Sequence, residues 1–102
     1  MAGLEFDPPT LEGFCRRWSI AELSFFGSVL RSDFRSDSDI DVLVSFEPSA
    51  AWGLFDLAAM ERELGEIFGR SVDIVTRNSV EQSRNELFRK HVLEHVRSVY
   101  LA

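Results

Sequence analysis

Cysteine occurs once in these 102 residues, at Cys15. A single thiol excludes an internal disulfide and any metal site built from several thiolates, and beside an apolar helix face it reads as a core residue. Long apolar runs are also missing, and none approaches the ~20 residues needed to cross a bilayer. The chain opens "MAGLEFDPPT", acidic where a signal peptide is basic and then apolar, so the cytoplasm is the expected location. Positive charge is scarce, with 11 Lys and Arg against 17 Asp and Glu and a net charge of −6. Such a chain lacks the clustered cations that phosphate backbones and anionic membranes attract, so neither direct nucleic-acid binding nor membrane association is expected. A small anionic substrate stays compatible with this charge if metal ions neutralise its site. Internal repeats, low-complexity tracts and heptad runs are absent.

What is present is an ordinary core composition, 45% hydrophobic with nine Phe and two Trp. That suits one domain, residues 1–102, with residues 1–9 as an irregular arm, because Pro8 and Pro9 restrict the backbone before them. A helix is expected over "TLEGFCRRW" with Thr10 as its cap. "IAELSFF" reads as a strand ending at Gly27, "SVLR" as one or two helical turns, and "SDFRSDS" as a loop. A second strand runs from about Asp39 to Phe46. Leu57, Met60, Leu64, Ile67 and Phe68 recur at helical spacing between Leu54 and Phe68, with Gly69 as a C-cap and Gly65 an internal weakness of ~1 kcal/mol. "SVDIVT" gives a third strand. "SVEQ" from Ser79 and "SRNE" from Ser83 offer two capping-box starts for a last helix, carried by Leu87, Phe88, Val92, Val96, Val99 and Tyr100 to near the end. The fold class is α/β, a short mixed three- to four-stranded sheet packed with helices, in which pairing of the first two strands brings Gly27 near Asp39.

The second strand carries the chemistry. By its two-residue period Asp39, Asp41 and Leu43 share one face, while Ile40, Val42, Val44 and Phe46 form the other and belong to the core. Asp73 on the third strand can join the two acids. Each carboxylate alone reads as an exposed strand end, but three together repel unless a cation intervenes, and hard oxygen donors suit Mg²⁺, which commonly bridges carboxylates to nucleotide phosphates. Gly27 lets backbone approach a phosphate, Ser28 offers a hydroxyl and an amide at the start of a helical turn, and Arg31 and Arg35 are candidate phosphate contacts. Asp33 and Asp37 read as loop acids, and Ser38 can orient the loop or a ligating carboxylate.

"GSVLRSDFRSDSDIDVLV" closely resembles the signature of the minimal nucleotidyltransferase family of the DNA polymerase beta-like superfamily: Gly-Ser, a variable loop, then Asp-x-Asp opening a strand. "GRSVDIVT" is similar to the segment carrying that family's third carboxylate, and "RKHVLEHVRSVYLA" to its usual C-terminal helix. The resemblance runs from about Leu11 to Tyr100 and implies that Gly27 and Ser28 handle nucleotide phosphates, that Asp39 and Asp41 ligate two Mg²⁺ ions, and that Asp73 completes the metal-binding triad and helps activate an acceptor hydroxyl. Arg31 and Arg35 fall on arginine positions common in the family, whereas Ser32 replaces its usual glycine. Such proteins are often encoded beside a helical HEPN-type ribonuclease toxin. The resemblance therefore implies transfer of AMP from ATP to a hydroxyl, tyrosine for preference, of that toxin, with this chain as antitoxin. The alternative is a binding module that neutralises the toxin by complex formation, and homo-oligomerisation is left open.

Other residues read structurally. His91 and His95, four apart on the last helix and apart from the triad, lack a further zinc ligand; Glu94 belongs to a charged face. Trp52 and Phe55 offer an adenine platform but read first as packing, Trp18 anchors a helix to the core, and Tyr100 packs.

Overall fold

The computed structural model describes residues 6–27 and 39–102. Chain order is α1 (Pro8–Arg17), β1 (Ile20–Phe26), β2 (Ile40–Phe46), α2 (Leu54–Phe68), β3 (Val72–Thr76), α3 (Arg77–Glu81), α4 (Glu86–Glu94) and β4 (Val96–Leu101). The four strands form one mixed sheet in the order β3-β2-β1-β4. β1 lies antiparallel to both β2 and β4, whereas β2 and β3 run parallel through the α2 crossover.

Alternation along the strands gives the sheet two different faces. One carries Leu23, Phe25, Ile40, Val42 and Val44, buried with Leu11, Phe14 and Cys15 of α1 and with Met60, Leu64 and Phe68 of α2. Burial pushes the Cys15 thiol up to about 12, so it stays protonated in the core. The other face carries Phe26 and Leu43, buried with Val80 of α3 and Val92 of α4. Leu43, on the same side as the acids, is thus a core residue of this second cluster. Gly69 closes α2 in the left-handed region at φ 70°, as its position after the apolar stripe predicts. Gly65 is also accounted for: the Arg70 amide donates to its carbonyl at 3.1 Å, and a Cβ there would lie 3.0 Å from the Arg70 carbonyl oxygen.

Three expectations are corrected. α1 starts at Pro8, with Asp7 and not Thr10 at the cap position, because proline in the first turn has no amide to leave unpaired and its fixed φ suits a helix. The single last helix is two helices and a strand: Thr76 and Asn85 are the N-caps, accepting from the Ser79 and Phe88 amides, in place of Ser79 and Ser83. Val96–Leu101, expected to continue the helix, instead pairs along the free edge of β1, where its β-branched and aromatic residues fit a pleated surface. The helical turns expected over "SVLR" lie outside the described residues. Among the described residues no helix is long and apolar enough to cross a membrane.

Candidate functional site

The site forms at the sheet end where β1 finishes and β2, β3 and β4 begin. Phe26 is the register partner of Asp41, and Asp41 is in turn the register partner of Asp73. Paired residues on neighbouring strands share a face, so both carboxylates stand on the α3/α4 side of the sheet. Asp39, two residues before Asp41, precedes the strand. Gly27 follows Phe26 with φ 77°, and a Cβ placed on it would lie 2.6 Å from Asp41 Oδ2. Glycine is required there twice over, by its left-handed backbone and by the carboxylate that occupies the notch.

Asp41 is half-buried while Asp39 and Asp73 are exposed. Its carboxyl is held above the ordinary range, first by burial, then by the charge of Asp73, then by that of Asp39. Burial and neighbouring like charge both disfavour the ionised form, and a divalent cation among these oxygens would offset them. The donor chemistry therefore fits a hard ion such as Mg²⁺. No three His, Cys, Asp or Glu side chains among the described residues converge into a ligand set on their own. Mg²⁺ is commonly held by one or two carboxylates together with waters and substrate phosphates.

Of the residues singled out in the sequence, Gly27, Asp39, Asp41 and Asp73 are brought to this one end of the sheet. Ser28, Arg31, Ser32, Asp33, Arg35, Asp37 and Ser38 lie outside the described residues. Trp52 donates from Nε1 to the Trp18 carbonyl at 2.7 Å and packs edge-on against that ring at 5.0 Å. Trp18 is half-buried against the core and hydrogen-bonds Glu63, as a helix anchor would. Phe55 does not pack: it is 92% exposed, beside Leu54 at 80%. Tyr100 packs against the main core cluster. His91 and His95 are exposed, and β4 alters their setting. Val96 pairs with Phe26, so His95 stands at the site end of the sheet and not on a remote helix. The signal for this was the β-rich run "VRSVYL", which also satisfies a helical stripe.

Residues 10–99 match the family described as the nucleotidyltransferase domain. A candidate protein adenylyltransferase of Methanocaldococcus jannaschii is 39% identical over 61 residues, 60% of this chain and 63% of that protein. The chain thus spans less than two thirds of the length of that curated relative. Two solved structures share the fold. One, a toxin–antitoxin protein crystallised with AMP-PNP, gives a TM-score of 0.71 at 15% identity over 94% of this chain and 74% of the other. The second, from a tri-AMPylated Shewanella oneidensis HEPN toxin in complex with MNT antitoxin, gives 0.61 at 15% identity over 93% and 70%.

Proposed function

Because this chain belongs to the nucleotidyltransferase domain family, we propose that it transfers AMP from ATP to a hydroxyl, tyrosine for preference, of a HEPN-type toxin and so acts as its antitoxin. The observation that carries this reading is the Asp41 carboxylate, set in the notch left by Gly27 and in register with Asp73. The M. jannaschii relative named for adenylyl transfer and the toxin–antitoxin neighbours, one with AMP-PNP and one with an AMPylated toxin, support the donor, the reaction and the kind of partner.

In this reading Asp39 and Asp41 hold two Mg²⁺ ions, with Asp73 completing the set. The ions, when bound, neutralise the triphosphate and the departing pyrophosphate. Gly27, without a side chain, leaves room for the Asp41 carboxylate and would let phosphate oxygens approach its backbone beside it. Ser28, Arg31, Arg35 and Ser38 contact the phosphates or orient the loop beside them. Asp73, exposed at the rim, accepts the proton of the attacking hydroxyl. Preorganised charge at this position matters most where charge shifts in the transition state. The test is incubation with Mg²⁺, the HEPN partner, and ATP labelled at the α- or the γ-phosphate. Label should reach the partner from the α position only, and Asp39→Asn or Asp41→Asn should lower the rate at least ~100-fold. Label arriving from the γ position would make the chain a phosphotransferase and overturn the proposal.

The adjacent exposed side chains of Leu54 and Phe55 favour a second reading, neutralisation by complex formation alone, because a partner that covered them would gain their burial. A growth assay with the toxin expressed separates the two. Full protection by a folded Asp39→Asn/Asp41→Asn double variant means that binding suffices.

A further inference from the structure

We propose that Glu61 is a positioning residue for transfer: by holding the edge of β3 from the side of α2, it fixes where the Asp73 carboxylate stands beside Asp41. The inference rests on the nucleotidyl-transfer reading above.

The two paired acids are supported unequally. Asp41 lies on β2, an inner strand flanked by β1 and β3, and its carboxylate occupies the notch at Gly27. Asp73 lies on β3, which is five residues long and ends the sheet, with β2 as its strand neighbour and the Asp73 side chain exposed. A strand bonded along one side can swing about its ladder, and its outward amides have no strand to receive them. At Ile74, the residue after Asp73, Glu61 receives that amide: the backbone N donates to Oε2 at 2.7 Å. Alternation turns the Ile74 side chain toward the main core, while Asp73 points to the other face. Glu61 therefore reaches from α2 round the rim of the sheet and takes hold of the backbone that joins the two residues.

The peptide it holds is the one that aims the carboxylate. Asp73 and Ile74 are joined by a rigid trans plane, so an amide directed outward to Glu61 leaves the Asp73 carbonyl directed inward to β2. Fixing that plane fixes the Asp73 Cα, and with it the direction in which the side chain leaves the strand. The bond is charge-assisted and partly shielded from water, which makes it a strong hold for one side chain. Such bonds behind a ligating or reacting group typically carry about ten- to hundredfold in activity.

Three substitutions separate reach from charge. Glu61→Gln keeps an oxygen at the same reach without the charge, Glu61→Asp keeps the charge one methylene short, and Glu61→Ala keeps neither. With Mg²⁺, α-labelled ATP and the HEPN partner, Glu61→Asp and Glu61→Ala should turn over about tenfold more slowly while binding Mg²⁺-ATP within about threefold of wild type by calorimetry. Glu61→Gln should keep its rate within about threefold. A slow Glu61→Gln or a fast Glu61→Asp would make charge the cause and overturn the inference. A general loss of stability is separated by Glu63→Gln on the same helix, which weakens the hold on Arg17 and Trp18 and should keep wild-type transfer; an equal loss there overturns the inference. Asp73→Asn/Glu61→Ala should be no slower than Asp73→Asn alone, and losses that multiply overturn it. Without turnover, the Asp73 amide resonance of wild type should shift as Mg²⁺ and a non-hydrolysable ATP analogue are added, and shift less in Glu61→Ala; equal shifts overturn it. If wild type transfers no label from the α position, the nucleotidyl-transfer reading fails and this inference falls with it. Transfer by wild type that persists at full rate in Glu61→Ala removes the inference alone.

Discussion

Gly27 and Asp41 depend on each other, and the dependence is steric. Any side chain at Gly27 meets the Asp41 carboxylate at 2.6 Å from its first carbon and must also adopt a φ of 77°. Gly27→Ala should therefore cost about 1–2 kcal/mol in urea denaturation, the usual range for a side chain forced into the left-handed region. Its effect on AMP transfer should be larger than stability explains, because the carboxylate has to leave the notch. Wild-type turnover at saturating Mg²⁺ in Gly27→Ala would show that Asp41 does not act from this position. The glycine was legible in the sequence as a strand end beside a serine; the clash that requires it was not, since it belongs to a neighbouring strand.

Among the elements, those with an unambiguous period were legible and those with two compatible periods were not. Ile40, Val42 and Val44 alternate with Asp41 and Leu43, which fits a strand and nothing else, and the strand forms over Ile40–Phe46 with Asp39 just before it. Val96, Val99 and Tyr100 satisfy both a helical stripe and a pleated strand. What decides between them is the open edge of β1, a partner far away in sequence that no local pattern reveals. Substitutions distinguish the outcomes. Val92, buried against Phe26 and Leu43, should lose about 1–2 kcal/mol as Val92→Ala, while exposed Leu87→Ala should stay within ~0.5 kcal/mol in the same thermal unfolding assay. A continuous helix with both residues on its core stripe would make the two costs alike.

The contact between α1 and α2 carries a pH signature. Glu63 accepts from Arg17 at 2.8 Å and from the Trp18 indole, and the Arg17 hydrogen bond above all holds its carboxyl below the ordinary 4.5. A depressed carboxyl stabilises the fold above its unfolded value, and that contribution is lost as pH falls through the folded one. Glu63→Gln should thus be less stable than wild type at neutral pH by up to ~1 kcal/mol, with the difference shrinking below about pH 4. A constant difference between pH 7 and pH 3 would remove the ion pair as its source.

At the scale of the whole molecule, a net charge of −6 sets the terms of nucleotide binding. ATP approaching this surface meets repulsion both from the site carboxylates and from the field of the chain. Calorimetry should show at least ~10-fold tighter ATP binding with Mg²⁺ than with a chelator, and equal affinities would contradict the charge balance argued for the cleft. The sheet has two edges under this same field. The outer edge of β3 is partly covered, since the Ile74 amide donates to Glu61 of α2 at 2.7 Å. β4, at the other edge, has a consequence for the timing of assembly. β1 emerges early in translation and finds its β2 neighbour within a short stretch of chain, yet its other neighbour, from Val96 against Phe26, is about 70 residues later. Closing that length costs more chain entropy than closing the β1–β2 pair, so β4 is expected to pair after β2 has covered the other side of β1. Until β4 arrives, the bare strand is open to a strand from any other chain; once in place β4 covers β1 and becomes the edge of the sheet itself.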